Sequence, residues 1–145
     1  MFRFLFLSFC FSSTYCAQAQ QSSTTPKKDI STSINKGKVV YQTHCLSCHQ
    51  IDGGGVPHLN PPLAESSWAN GNVQRIIQIV LKGMSDRVPI DDEYYSNSMP
   101  AFAHLSNAQI ADVLTYIRQS FGNQSSAVTA TEVLAVRKKM QPKHK

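Results

Sequence analysis

Cysteine runs out early in this chain. Of four cysteines in 145 residues, Cys10 and Cys16 stand near the N-terminus and none follows Cys48. No second Cys or His pair is present to complete a four-ligand structural zinc site, since His58 and His104 stand isolated. Long apolar runs are also lacking. The stretch from Phe4 to Phe11 is too short to span a bilayer, and no later segment approaches the roughly 20 apolar residues a spanning helix needs. Alternating strand patterns are scarce, and no set of paired catalytic acids and bases is visible. A basic stripe is missing despite a formal charge of +5. From Asp29 to Glu132 the six cations Lys36, Lys38, Arg75, Lys82, Arg87 and Arg118 face nine acids, a net −3. The positive total comes from Arg3, Lys27, Lys28 and the tail residues Arg137, Lys138, Lys139, Lys143 and Lys145. That distribution excludes a nucleic-acid binder. It leaves the tail as a solvated end, with weak contact to an anionic membrane surface as the rival reading.

What remains is one modest domain with an exported look. "MFRFLFLSFCFSSTYCAQAQQ" has an early cation, Arg3, an apolar run, and the small-x-small site Ala17-Gln18-Ala19. Residues 1–19 therefore read as a secretory signal peptide, and the mature chain begins near Gln20, in the periplasm. Lipid attachment at Cys16 is the minor alternative, disfavoured by the bulky Tyr15 before it. About one hundred residues are then left to fold, a size at which a buried cofactor or cross-link helps.

After export only Cys45 and Cys48 remain, in "HCLSCHQIDGGG". A thioredoxin-like pair would need a preceding strand, but Ile34, Val40 and Tyr41 with Gly37 recur at helical spacing. Covalent haem attachment through C-x-x-C-H accounts for every residue. Two thiols on one side of a helical turn each form a thioether to a haem vinyl group, and His49 reaches the iron. A second axial ligand is expected from Met99 in "NSMPAFAHLSN", where Pro100 stiffens the backbone. Met84 completes the stripe Val73, Ile76, Ile77, Val80, Leu81 and reads as core or helix end.

These residues carry a resemblance. From about Asn35 to Lys138 the chain resembles a class I c-type cytochrome of the bacterial periplasmic monohaem kind, similar to cytochrome c domains of respiratory oxidoreductases. The pieces that match are "GKVVYQTHCLSCHQIDGGGVPHLNPPLA", "RIIQIVLKG", "NSMPAF", "LSNAQIADVLTYIRQSFGN" and the tail "VTATEVLAVRKK". The resemblance implies an all-α cytochrome c fold wrapped around one covalent haem c, with a short appended C-terminal helix. It also implies that the Gly37–Tyr41 face crosses the final core helix closely, and that the Pro61–Pro62 segment offers His49 a carbonyl. The implied function is single-electron transfer between dehydrogenase, reductase or oxidase partners. A fixed cytochrome subunit of such an enzyme is the alternative, and a haem enzyme with an open iron site the more distant one.

The expected layout is a flexible polar leader over 20–33 and a cytochrome domain over 34–122. An extension over 123–145 then carries a short helix and the basic tail. Within the domain, one helix covers about Ile34 to Cys48 and another Val73 to Lys82, ended by Gly83. The last core helix opens with Ser106 and Gln109 as a capping box and is stopped by Gly122. Thr129 with Glu132 predicts a second box and the appended helix. Trp68 reads equally as core or as a haem contact, and Tyr94, Tyr95 and Asn97 as solvated loop residues near Met99. His44, His58 and His104 read as surface histidines.

Overall fold

The computed structural model describes residues 29–87 and 89–141. The signal peptide, Cys16, most of the polar leader and the last four residues lie outside the described residues. Among the described residues six helices follow one another: α1 (Ile30–His44), α2 (Leu46–His49), α3 (Ser67–Asn70), α4 (Val73–Lys82), α5 (Asn107–Arg118) and α6 (Ala130–Met140). The described residues contain no strand, only isolated bridges.

Asp29 opens α1 by accepting the Ser31 N–H at 3.2 Å, which satisfies a donor that every helix start leaves unpaired. The helix thus begins four residues before its apolar pattern does, so the last part of the expected leader is ordered. Ser33 is buried there, and its hydroxyl donates to the Asp112 carboxylate on α5. At the other end the expected single helix is interrupted. Cys45 leaves helical geometry at φ −119°, and the chain resumes as the one-turn α2.

The α1–α5 crossing is the centre of the fold. A Cβ at Gly37 would stand 2.0 Å from the Asp112 carbonyl oxygen and 2.8 Å from the Tyr116 Cβ, so only glycine permits this approach. One turn on, Tyr41 is 1% exposed between Tyr116 and Phe121, with ring centroids at 5.4 and 5.3 Å. Its hydroxyl donates to the Gln50 carbonyl at 2.6 Å, and burial drives its pKa well above the ordinary phenol value. It therefore stays a hydrogen-bond donor at any physiological pH.

The remaining helices follow their caps. Asn72 caps α4, and Ser106 and Gln109 exchange both bonds of a capping box at the start of α5. α5 ends at Arg118, before Gly122, because the chain passes into a turn where Phe121 and Gly122 take positive φ. Thr129 and Glu132 form the second box and start α6. Val133 and Val136 of α6 are buried in the main core with Ile77, Leu81, Ile110 and Leu114. Each such side chain contributes about 1.5–3 kcal/mol relative to exposure. The appended helix is thus part of the core. Arg137 departs from the solvated tail expected of it: its guanidinium donates to Asn107 Oδ1 at 2.9 Å and to the carbonyls of Ala103 and Leu105 at 2.8 Å.

Candidate functional site

The proximal wall is built within eighteen residues. α2 carries Cys45 at its cap, then Cys48 and His49. Cys48 is exposed and Cys45 half-buried. Burial, then the neighbouring Cys48, pushes the Cys45 thiol up to about 11, so it is protonated at neutral pH. His49 is 9% exposed, and its Nδ1 lies 3.0 Å from the Pro61 carbonyl oxygen. A carbonyl can only accept, so Nδ1 carries the proton and Nε2 keeps a free lone pair. Burial holds His49 below its ordinary imidazole value, while the bond to Pro61 works the other way. The ring is therefore neutral near pH 7, the state a metal ligand needs.

Gly55 lets the loop fold back to make that bond. It sits at φ +68°, and a Cβ there would stand 2.4 Å from the Asn60 oxygen and 2.7 Å from the Pro61 oxygen. A bridge between Val56 and Asn60 closes the turn. The Pro61 carbonyl implied by the resemblance is the one found, and the Pro62 carbonyl plays no recorded part.

His49 and both cysteines line a cavity of about 540 Å³, within the range of roughly 300–1,000 Å³ usual for a bound organic ligand. Its apolar wall comes from α4 and α5 through Ile76, Val80, Val113, Leu114 and Ile117. Trp68, half-buried at the edge, also lines it, with the Arg75 guanidinium 4.3 Å above the ring centroid.

The distal wall comes from a loop closed on itself. Met84 and Met99 exchange both backbone bonds, at 3.0 and 2.8 Å, as directly opposed residues of an antiparallel pair. Opposed residues share a face, and both methionines line the cavity. Met84 is therefore not the continuation of the α4 stripe. Gly83 ends that helix at φ +74°, where a Cβ would lie 2.5 Å from the Met99 oxygen. Beyond Pro100, the Phe102 N–H donates to Val80 at 2.8 Å and fixes the exit of the loop.

Between the methionines, the acidic loop is tethered at two places. Asp91 accepts the Ser67 N–H at the start of α3, and hydrogen bonds from Ser67 hold its carboxyl below the usual carboxylate range. Asn97 bonds Leu59 through its backbone and Asn60 through its side chain, joining distal and proximal loops. Tyr95 is half-buried and lines the cavity, while Tyr94 is exposed. The His58 ring is exposed, 4.0 Å from the Glu93 carboxylate, while its carbonyl accepts from the Ser96 N–H and hydroxyl.

Sequence reasoning missed a polar girdle behind the cavity. Arg118 is 3% exposed and donates to the carbonyls of Ala69, Gly71 and Ser126. Asn123, also buried, donates to Leu63 and Ile117 and accepts from Asn70. These bonds tie α3 and the proximal loop to the end of α5. The only signal in the sequence was an arginine on an otherwise apolar helix face.

An all-α chain wrapped on one apolar cavity, with two thiols and a lone-pair-bearing imidazole in its wall, has the donor set and shape of a covalent haem protein. Known proteins agree. Residues 34–121 match the model of the cytochrome c family. The chain is 32% identical over 116 residues to cytochrome c-552 of Thermus thermophilus, covering 73% of this chain and 88% of that one. It is 35% identical over 104 residues to the cytochrome c subunit of a quinone alcohol dehydrogenase from Gluconacetobacter polyoxogenes, covering 70% of this chain and 22% of that one. The corresponding subunit of gluconate 2-dehydrogenase from Pantoea cypripedii is 36% identical over 110 residues, with 70% and 24% covered. The chain thus spans most of the small cytochrome and about a quarter of each dehydrogenase subunit. It belongs to the cytochrome c family, carries haem c bound covalently, and works as an electron carrier.

Proposed function

We propose that thioether bonds to Cys45 and Cys48 hold one haem c, with His49 Nε2 on one face of the iron and the Met99 thioether on the other. The haem supplies the one-electron Fe(II)/Fe(III) couple. The observation that carries the assignment is the His49–Pro61 bond, which frees Nε2 and aims the ring into the cavity that also receives Met99. Pro61 fixes the imidazole tautomer and orientation. The core side chains of α4 and α5 exclude water and keep the dielectric low, and the thioether favours the reduced state. With both axial positions filled by the chain, no substrate needs to reach the iron, so the reading is a carrier without catalysis of its own. Acid-acetone extraction tests the attachment: the pigment stays on the protein and its mass rises by one haem. Pigment stripped by extraction overturns the assignment.

The domain reading is that residues 1–19 direct export and are removed, and that 34–122 hold the haem in the periplasm. Among the described residues no helix is long and apolar enough to cross a membrane. The natural partners on this reading are exported dehydrogenases, reductases or oxidases. The similarity to dehydrogenase subunits favours a second form of the same function, a cytochrome fixed to such an enzyme. Purification from the native source separates the two. A free carrier elutes at its monomer mass, and a fixed subunit elutes with its enzyme.

A further inference from the structure

His44 and His104 were left as unrelated surface histidines by the sequence, sixty residues apart. The fold brings them together. Their ring centroids are 5.8 Å apart at an interplanar angle of 66°. Phe102 completes a triangle, 5.9 Å from His44 and 6.1 Å from His104. His44 lines the edge of the cavity and His104 stands outside it.

We propose that His44 and His104 form a two-imidazole site for a borderline divalent cation of the Zn²⁺ or Cu²⁺ type. Such ions bind ring nitrogens at about 2.0–2.1 Å, which puts the metal about 3.2 Å from each ring centroid and the centroids about 5–6 Å apart at tetrahedral or wider angles. The observed centroid separation falls inside that span. Imidazole is the ligand type this cation class prefers. Two protein ligands leave the other positions to water, so binding is exchangeable rather than structural.

The site is also held in place. His44 is the last residue of α1, and the Cys45 N–H directly after it donates to Tyr41 at 2.8 Å. The residues on either side of His104 are gripped through their carbonyls, Ala103 and Leu105, by the Arg137 guanidinium. Leu105 also donates to Phe102 at 3.1 Å. Both backbones are fixed, so little conformational freedom is lost when an ion bridges the rings. His44 is half-buried and His104 exposed, which gives the ion a path from solvent.

Isothermal titration of the oxidised holoprotein with zinc tests this. The wild type binds one ion saturably. His44→Ala and His104→Ala each weaken binding by at least about tenfold, a change easily resolved in the titration. His58→Ala and His144→Ala leave it unchanged. Melting temperature and haem absorbance without zinc, measured on every variant, separate loss of the site from loss of the fold, and His44→Gln and His104→Gln repeat the test with polar side chains of similar size. Bound Cu²⁺ shows hyperfine coupling to two imidazole nitrogens, reduced to one in either single variant. Binding that survives both substitutions, binding lost in only one of them, or no saturation at millimolar zinc overturns the proposal.

Discussion

The two walls of the cavity are made in opposite ways. The proximal wall is local: Cys45, Cys48, His49, Gly55 and Pro61 lie within one short stretch, and nearest-neighbour bonds close the loop. The distal wall spans a stretch of similar length but is held more sparsely. Met84 and Met99 are fifteen residues apart, meet in a single rung, and enclose a largely exposed acidic loop. A tightly bonded loop opens rarely, whereas one of similar length held at few points opens on its own without global unfolding. The proximal side is therefore built to keep the haem, and the distal side can yield without the fold being lost.

The sharpest way to break this contrast is at the anchors. Replacing Cys45 and Cys48 together with Ala should abolish covalent attachment, read as complete loss of colour after acid-acetone extraction. Met99→Ala should leave the haem attached but remove the weak near-infrared sulfur-to-iron band. It should also open the iron to CO or cyanide and lower the reduction potential, because a soft thioether favours Fe(II). Met84 lines the same cavity from the opposite side of the rung, so Met84→Ala is the control. If it removes the band and Met99→Ala does not, the ligand is the other methionine.

A matched pair of glycines tests stability. Gly55→Ala and Gly83→Ala each place a Cβ within 2.5 Å of a backbone oxygen at positive φ. Each should cost about 1–3 kcal/mol in the structure it strains. Gly55→Ala should lower the global melting temperature, since the turn it distorts carries the His49–Pro61 bond. Gly83→Ala should weaken the sulfur-to-iron band with a smaller fall in melting temperature, because the distal loop opens locally. Equal falls with an intact band in both would erase the distinction between the walls.

The smallest effect lies on the loop surface. Asp92 and Glu93 are exposed, while Asp91 is tied to Ser67 and belongs to the framework. Asp92→Asn with Glu93→Gln should slow transfer to a partner carrying a basic patch and flatten its salt dependence, leaving the potential unchanged. Rim charges act on encounter and are screened over about 10 Å at 0.1 M salt. Stopped-flow rates over a salt series read this directly. A rate that is flat with salt in the wild type would remove the loop from the docking surface.

The same contrast decides what could be read from the sequence. The two capping boxes and the Gly83 stop are local patterns, and each stands at the expected residues. Gly37 against α5 followed from one resemblance to a known crossing. Met84 reads as core or helix end because its apolar period continues that of α4, and only the pairing with Met99 across the loop turns it to the cavity. Asp29 was read as leader because polar composition hides a cap. Arg118, Asn123 and Arg137 act on carbonyls 6 to 60 residues away, and no periodicity marks which carbonyls a guanidinium or amide will meet.

The Met84–Met99 rung has a last consequence, for inheritance. It closes the loop at its base, so the fourteen residues between are joined to the haem pocket at one neck and a few tethers. Lengthening, shortening or recharging that segment leaves the neck where it is. The exposed tip residues Asp92, Glu93 and Tyr94 lie outside the cavity lining, so a lineage can rewrite them for a new partner while the cavity that Tyr95 and Asn97 line stays as it is, and exchanging those three residues for a relative's should carry partner choice with them.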